Sequence, residues 1–569
     1  MPDDTGKVPY VYETYRMLAA VSFAVTLIVI GIPLWWYTTD VYRVPLPYSG
    51  IDELKNINFQ VSLNIYVACR EDYRADLLVE ELDNKFTKSD LFNITFKRII
   101  IPLELLQHSK TPAILENALL KNIDVKVGDF IFIEWYALKD EILVTSDRSA
   151  YFSPATSSHK IATVLGEWIL GEDSLKTTLS LMRSHSDNQR TFSPAKGDLE
   201  EINGKGKAFY SNNIQLDANA RRRVPPSSAY DVMITVVNPN PEELTADLDI
   251  RSAANDYIVP FLNELSSLAN FTVKSQWLYF LELDYKPKQV IDSSILRRHF
   301  ALPEEILPHL ITPLEKKLAS HVSNNPCLNL VIYLPSCKTA PLHIYTKSGT
   351  RAKSKSGVDA FLSPRWGGVV ISNPSVSICE NALIQDNTHV TFKPDTSLIM
   401  GTFLHQLRLL LGIMDNSAIS GASIVELESL SPRSWELDAL KRVRTLEHLT
   451  SASLTLQSIA QLLDEINNIV INDDIGESII VALEECHISK RYLEEGLLDE
   501  AFKHSKIAFT LSELAFTDQS LLALLYFPDD QKYAVYIPLF LPIMIPVILS
   551  FGTLKRWLQI LYFNKEKTD

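Results

Sequence analysis

Cys486 and His487 stand side by side, and a cysteine with a histidine is the pairing from which thiolate nucleophiles are made. The surrounding run, residues 476–488, reads as helix, and adjacent side chains on a helix diverge by about 100°. The two are therefore no natural dyad, and a structural cysteine with a nearby histidine is the better reading. His405, beside Gln406 and near Arg408 on an expected helix over 402–414, is a base or, more commonly, a surface residue. Asp473 and Asp474 form a carboxylate pair at an expected helix end, where turns attract aspartate. A glycosidase pair could still be assembled from distant parts of the chain. Arg221, Arg222 and Arg223 could bind a phosphate, although an exposed basic loop is the commoner use of such a run. Gly367 and Gly368, after Arg365 and Trp366, permit a tight turn or a close backbone approach, not a phosphate cradle. The chain contains no HExxH, no GxSxG, no Walker loop and no GxGxxG after a strand. No residue is thus assigned a catalytic, cofactor-binding or metal-ligating role.

Any chemistry would have to be positioned by a long chain. At 569 residues it exceeds one ordinary core, and two or three domains are expected. With 46% hydrophobic and 22% charged residues the composition is that of a folded protein. The net charge of -15 is spread along the chain and argues against a nucleic-acid partner, which wants a basic face. Cys69, Cys327, Cys337, Cys379 and Cys486 make an odd count, so at least one is free or bonded to another chain.

Strict alternation over Phe59 to Val67 predicts a half-buried strand, and 130–135 and 142–144 are further strand candidates. A helix is expected over 161–181. Residues 185–228 are polar, with Gly204, Gly206, Pro225 and Pro226, and read as a loop or boundary. Beyond it, strands at 232–237, 271–280, 328–334 and 367–371 alternate with helices at 252–268 and 402–414, a mixed or mostly parallel α/β pattern. From Trp435 to Val470 apolar residues recur at intervals of three and four, which predicts a long amphipathic helix starting near Pro432 and Ser434. Its apolar stripe would be buried in its own domain or offered to a partner. More helices are expected over 476–488, 491–512 and 518–525.

Two apolar runs flank this body. Residues 17–37 carry no charge and end in Trp35, Trp36 and Tyr37; residues 533–554 carry Pro538, Pro542 and Pro546 at intervals of four. Each reads as a transmembrane helix. Lys555, Arg556, Lys565 and Lys567 behind the second run place both tails in the cytosol, with residues 40–532 on the other side. The expectation is a cytosolic tail (1–16), a span (17–37), a luminal α/β region (38–200), a loop or linker (201–228), a second luminal α/β region (229–430), a luminal helical region (431–532), a span (533–554) and a cytosolic tail (555–569). Asn93-Ile94-Thr95 and Asn270-Phe271-Thr272 are glycosylation sequons on the luminal side, while Pro374 excludes Asn373. Lys565 and Lys567 match a dilysine-type retrieval signal of the endoplasmic reticulum.

Several stretches are more specific. Tyr42-Arg43-Val44-Pro45-Leu46-Pro47-Tyr48, Asn238-Pro239, Asn270 to Val273 with Ser275-Gln276 and Leu278-Tyr279, Ser363-Pro364-Arg365-Trp366-Gly367-Gly368, Trp435-Glu436-Leu437-Asp438, Leu462-Leu463 through Asn468 to Ile471, and Tyr526 to Lys532 running into Tyr536 to Pro542 resemble the PIG-S family. That family supplies a subunit of the glycosylphosphatidylinositol (GPI) transamidase complex. The resemblance implies a non-catalytic, supporting role in the endoplasmic-reticulum membrane, with no cofactor. Its implied partners are the other subunits, among them the cysteine-protease-like catalytic one, the proprotein and GPI lipid that the complex handles, and membrane lipids. It also marks Asn270 as a glycosylation site, and gives Asn93 no comparable support. The alternatives are a membrane-tethered luminal hydrolase and an adhesion or receptor ectodomain.

Overall fold

The computed structural model describes residues 10–39, 42–56, 58–87, 89–121, 123, 125–139, 141–190, 222–291, 298–318, 323–352, 357–379, 389–413, 418–427, 430–465, 469–519, 534, 536–542, 544–549, 551–552, 555 and 559. They form two compact units. The larger comprises Ile57–Leu454 with Glu484–Thr510, and the smaller Met1–Asn56 with Thr455–Leu483 and Leu511–Asp569.

The larger unit is built on two sheets. The first has six strands in the order Ala422–Ile424, Ile142–Val144, Ser149–Phe152, Phe130–Glu134, Val61–Cys69 and Phe92–Ile100. All neighbours are parallel except Ile142–Val144 with Ser149–Phe152. Val61–Cys69 begins by alternating, with Ser62 and Asn64 half-exposed, and is then buried from Ile65 to Cys69. The helix Asp72–Phe86 lies along this strand and Phe92–Ile100, and buries Ala75, Leu78 and Leu82. The outermost strand, Ala422–Ile424, comes from nearly three hundred residues further along the chain.

The second sheet has five strands in the order Asp359–Ser363, Gly367–Ile371, Cys327–Tyr333, Ala229–Asn238 and Asn270–Tyr279. Three of the four pairings are parallel, and Asp359–Ser363 runs antiparallel at one edge. Both faces are covered, so its middle strands are continuous apolar runs. On one face Val232, Ile234, Leu330 and Val370 meet Phe261, Phe403 and Leu407; on the other Val237, Val331 and Val369 meet Leu310, Leu314 and Leu342. Burial of each such aliphatic or aromatic side chain contributes about 1.5–3 kcal/mol. The helix Thr396–Leu411 is capped by Asp395, which accepts from Leu398 N, and stops at Gly412 with φ 94°. A three-stranded sheet (Lys288–Ile291, Arg298–Pro303, Leu342–Tyr345) and a two-stranded one (Leu244–Ala246, Val390–Phe392) complete the strands.

The long helix expected from residue 435 is Ser434–Glu465, and its character differs from the expectation. None of residues 434–454 is exposed. Its charged residues are buried as well as its apolar stripe: Glu436, Asp438, Arg442, Arg444 and Glu447 are each less than a tenth exposed.

The flanking transmembrane helices are not formed as expected. Across 17–37 an α-helix, Tyr10–Thr26, gives way to a π-helical turn, Leu27–Gly31, and only then to Ile32–Thr39. Pro33 has no N–H for the Val29 carbonyl and its ring crowds that carbonyl, so the regular ladder fails just before it. In 533–554, Pro538, Pro542 and Pro546 each remove one such donor, and the longer described helical pieces are 536–542 and 544–549. Among the described residues no helix is long and apolar enough to cross a membrane. The two-span arrangement with both tails cytosolic depended on those helices and falls with them.

Candidate functional site

The side chains that suggested chemistry are scattered. His405 is exposed while its neighbour Gln406 is buried. Cys486 is buried and His487 exposed, and burial pushes the Cys486 thiol up to about 12, so it stays protonated and unreactive. Asp473 opens the helix Asp473–Glu494 and accepts from Tyr42 Oη at 2.8 Å. Arg221 lies outside the described residues; the Arg222 carbonyl accepts from Arg365 N, and Arg223 is buried against Glu447. Cys337 and Cys379 form a disulfide, and Cys69, Cys327 and Cys486 are not part of one. Among the described residues no group of three His, Cys, Asp or Glu side chains could hold a metal ion.

One cluster escaped the sequence reading. His343 Nδ1 lies 2.7 Å from Asp359 Oδ2, and His299 Nε2 bonds the Tyr345 hydroxyl while stacking on its ring. The four residues come from three strands in two different sheets, Arg298–Pro303 pairing with Leu342–Tyr345 and Asp359–Ser363 belonging to the five-stranded sheet, and no spacing in the chain announces them. The cluster contains no serine, threonine or cysteine nucleophile, and what it can do is hold the small sheet to Asp359–Ser363.

The stretches singled out as motifs are places where the chain has no room. Asn238 is buried; its Nδ2 donates to the Leu244 carbonyl and its Oδ1 accepts from Asn240 N, which fixes the turn after Ala229–Asn238. A Cβ on Gly367 would lie 1.9 Å from the Asn329 carbonyl oxygen, and one on Gly368 would lie 2.0 Å from Gln406 Oε1. The paired glycines let strand and helix close on this hairpin. The Tyr42–Tyr48 stretch is a strap within the smaller unit. Arg43 donates to the Leu463 and Ile469 carbonyls, both at 3.0 Å, placing a cation at the C-terminal end of Ser434–Glu465 where the helix dipole favours it. Val44 packs so closely on Gly476 that a Cβ there would be 2.8 Å away.

Trp435 to Asp438 begins the helix Ser434–Glu465. Glu436 reaches back to Arg433 N at 2.9 Å, which is half of a capping box. Ser434 N donates to the Ser146 carbonyl, and Trp435 Nε1 to the Thr145 carbonyl. The helix then carries three acids to three sets of arginines. Glu436 takes Arg408 at 2.7 Å and Arg433 at 3.0 Å. Asp438 takes Arg148 and the Gly128 N–H. Glu447 takes Arg223, and Arg444 at 3.0 Å. Arg148 and Gly128 belong to the side of the first sheet, and Arg408 and Arg223 to the side of the second. This part of the helix therefore ties both to one strut. His448 lies among these groups, stacked on Phe509 with ring centroids 5.0 Å apart. Burial, with the Arg444 and Lys506 charges, pulls its pKa down to about 3.

The two sequons share a setting. Asn93 and Thr95 lie on Phe92–Ile100, Asn270 and Thr272 on Asn270–Tyr279; both are edge strands, and both asparagines are exposed. Lys565 and Lys567 lie outside the described residues.

Comparison with known proteins matches residues 22–559 to the family described as PIG-S, phosphatidylinositol-glycan biosynthesis class S protein. The chain is similar to the GPI-anchor transamidase component PIGS of Homo sapiens, 32% identical over 571 residues, and to that of Bos taurus, 31% over 570; each alignment covers 97% of both chains. A more distant relative is the GPI transamidase component GPI17 of Saccharomyces cerevisiae, 24% identical over 551 residues and covering 94% of this chain and 91% of the relative.

Proposed function

The chain belongs to the PIG-S family, and from that premise we propose that it is a non-catalytic subunit of the GPI transamidase, supporting assembly of the complex and positioning of its substrates. The observation that carries this is the match along nearly the whole chain, at 97% of both sequences. It encompasses the strap, the hairpin glycines and the buried helix alike. The chain supplies no nucleophile to the reaction; the cysteine and histidine belong to a different, cysteine-protease-like subunit. Joining a proprotein carbonyl to the amine of a GPI lipid gains most from holding the two together, since orientation contributes up to roughly 7–11 kcal/mol to such reactions. A body cross-tied by buried arginine–carboxylate pairs suits that holding role. Neither the hydrolase nor the adhesion reading has an observation in its favour.

The test is complementation. Expressed in cells that lack their PIG-S component, the full chain restores GPI-anchored proteins to the surface and co-purifies with the cysteine-protease-like subunit. Failure of both, with the chain present at normal level, would reject the assignment. We further propose that Asn270 carries an N-linked glycan, with Asn93 as the second acceptor. Asn270→Gln then increases electrophoretic mobility by one glycan, and the step vanishes after enzymatic deglycosylation; unchanged mobility would exclude occupancy.

A further inference from the structure

The two sheets of the larger unit repeat one topology. Numbered along the chain, Val61–Cys69, Phe92–Ile100, Phe130–Glu134, Ile142–Val144 and Ser149–Phe152 lie side by side in the order 4-5-3-1-2. Ala229–Asn238, Asn270–Tyr279, Cys327–Tyr333, Asp359–Ser363 and Gly367–Ile371 lie in the same order. In each set the fourth strand is antiparallel to the fifth, and a helical segment beyond the fifth ends on a left-handed glycine, Gly171 or Gly412. The register matches too. Ser149 pairs with Ile131 as Gly367 pairs with Asn329, which superposes Ile142 and Val144 on Ala360 and Leu362.

The first hairpin is covered by the chain itself. Ala422–Ile424 adds a parallel strand outside Ile142–Val144; Ile142 N donates to the Gly421 carbonyl and Val425 N to the Val144 carbonyl, both at 2.9 Å. Further along, Ser434 N bonds the Ser146 carbonyl in the turn and Asp438 takes the turn's Arg148. The second hairpin presents the same two features uncovered. Among the described residues no strand pairs with the outer side of Asp359–Ser363. Asp359 is tied to His343 and Arg351, but residues 360–363 beyond it are half-exposed. Its turn also carries an arginine, one residue before the place of Arg148, which Trp366 takes. Arg365 is exposed, has φ 60°, and makes no side-chain hydrogen bond or ion pair among the described residues. A left-handed backbone is strained for arginine, and here the strain holds a charge outward with nothing to meet it. We propose that Ala360 to Ser363 and Arg365 form a docking site for another subunit of the complex, which adds one short extended strand to this edge and brings a carboxylate to the arginine. Main-chain bonds supply the affinity and the ion pair fixes the register, as they do within the first hairpin. A carboxylate at a set distance from a strand suits a constant partner, not a succession of different proproteins. The site rests on the transamidase assignment.

The experiment expresses the full chain in cells that lack their PIG-S component and measures recovery of the other subunits after purification in mild detergent. Arg365→Glu lowers recovery of at least one subunit by roughly tenfold, the effect of losing a charge pair at an interface. Leu362→Pro, whose missing N–H faces away from its own sheet, lowers it as well. Arg365→Gly separates docking from folding. Glycine relieves the left-handed backbone, so the thermal unfolding midpoint of the purified chain stays level or rises while recovery falls. A benzophenone photoprobe at position 365 cross-links to the same subunit. Undiminished recovery with either Arg365→Glu or Leu362→Pro overturns the proposal, as does a loss in Arg365→Gly that comes with a lower midpoint, or cross-linking to the proprotein alone. If the unaltered chain recovers no subunit, the transamidase assignment itself fails and the docking site falls with it.

Discussion

A single hydrogen atom separates tolerance from clash at Gly367. Any Cβ there meets the Asn329 carbonyl oxygen at 1.9 Å, and the obstacle is backbone, which cannot rotate away. Gly367→Ala is therefore expected to destabilise by about 3 kcal/mol, read as an earlier urea midpoint at unchanged slope. An unchanged midpoint would mean that the hairpin moves freely. His448 sets a pH limit. Its folded pKa of about 3 lies below the ordinary value near 6.5, so between those values the unfolded chain binds the extra proton. The stabilisation is complete above pH 6.5 and is lost as pH falls, amounting to about 2 kcal/mol by pH 5. His448→Phe flattens this part of the stability profile; an identical acid limb in the variant would exclude His448 as its source. The sequence could name the glycines as a tight approach, because only glycine suits one. It could not assign His448, since its surroundings come from Arg444, Phe509 and Lys506, and burial decides its protonation.

Elements were legible where one face decided them. The expected strand over 328–334 is Cys327–Tyr333, that over 271–280 is Asn270–Tyr279, and 142–144 and 367–371 form strands over those residues. The helix expected over 161–181 is instead interrupted: a π-turn, Leu165–Leu170, ends at Gly171 with φ 59° before Glu172–Arg190 begins. The helix Ser434–Glu465 shows the limit of periodicity. Its intervals of three and four are real, but its polar face is buried against arginines that lie up to about three hundred residues earlier. A charged face that meets solvent and one that meets opposite charge look alike in sequence. Glu447→Gln leaves Arg223 and Arg444 without their shared counter-charge, and breaking a buried pair in this way costs about 3–5 kcal/mol. The measurement is equilibrium unfolding of the variant beside an exposed control such as Glu500→Gln. Equal losses would mean that the buried pairs contribute nothing specific.

At the scale of the molecule, the family and the α/β character could be read from the sequence, whereas the flanking spans could not be sustained, because hydropathy counts apolar residues and ignores where prolines break the ladder. The disulfide was also beyond reach: five cysteines allow many pairings, and only the fold brings Cys337 to Cys379. It closes a loop across 42 residues, so Cys337→Ser with Cys379→Ser is expected to lower stability by about 4 kcal/mol on the chain-entropy estimate. Alkylation of the unfolded, unreduced chain should label three thiols; labelling of all five would rule the bond out. The buried helix also has a meaning in time. A ribosome delivers both sheets before it delivers residues 434–454, and the outer strand Ala422–Ile424 emerges only shortly earlier. Until then Arg148, Arg223 and Arg408 lack the acids they will meet, and the apolar surfaces around them lack their cover. A nascent chain halted before residue 434 should therefore remain a chaperone client, and release should follow the arrival of one late helix rather than the gradual completion of successive domains.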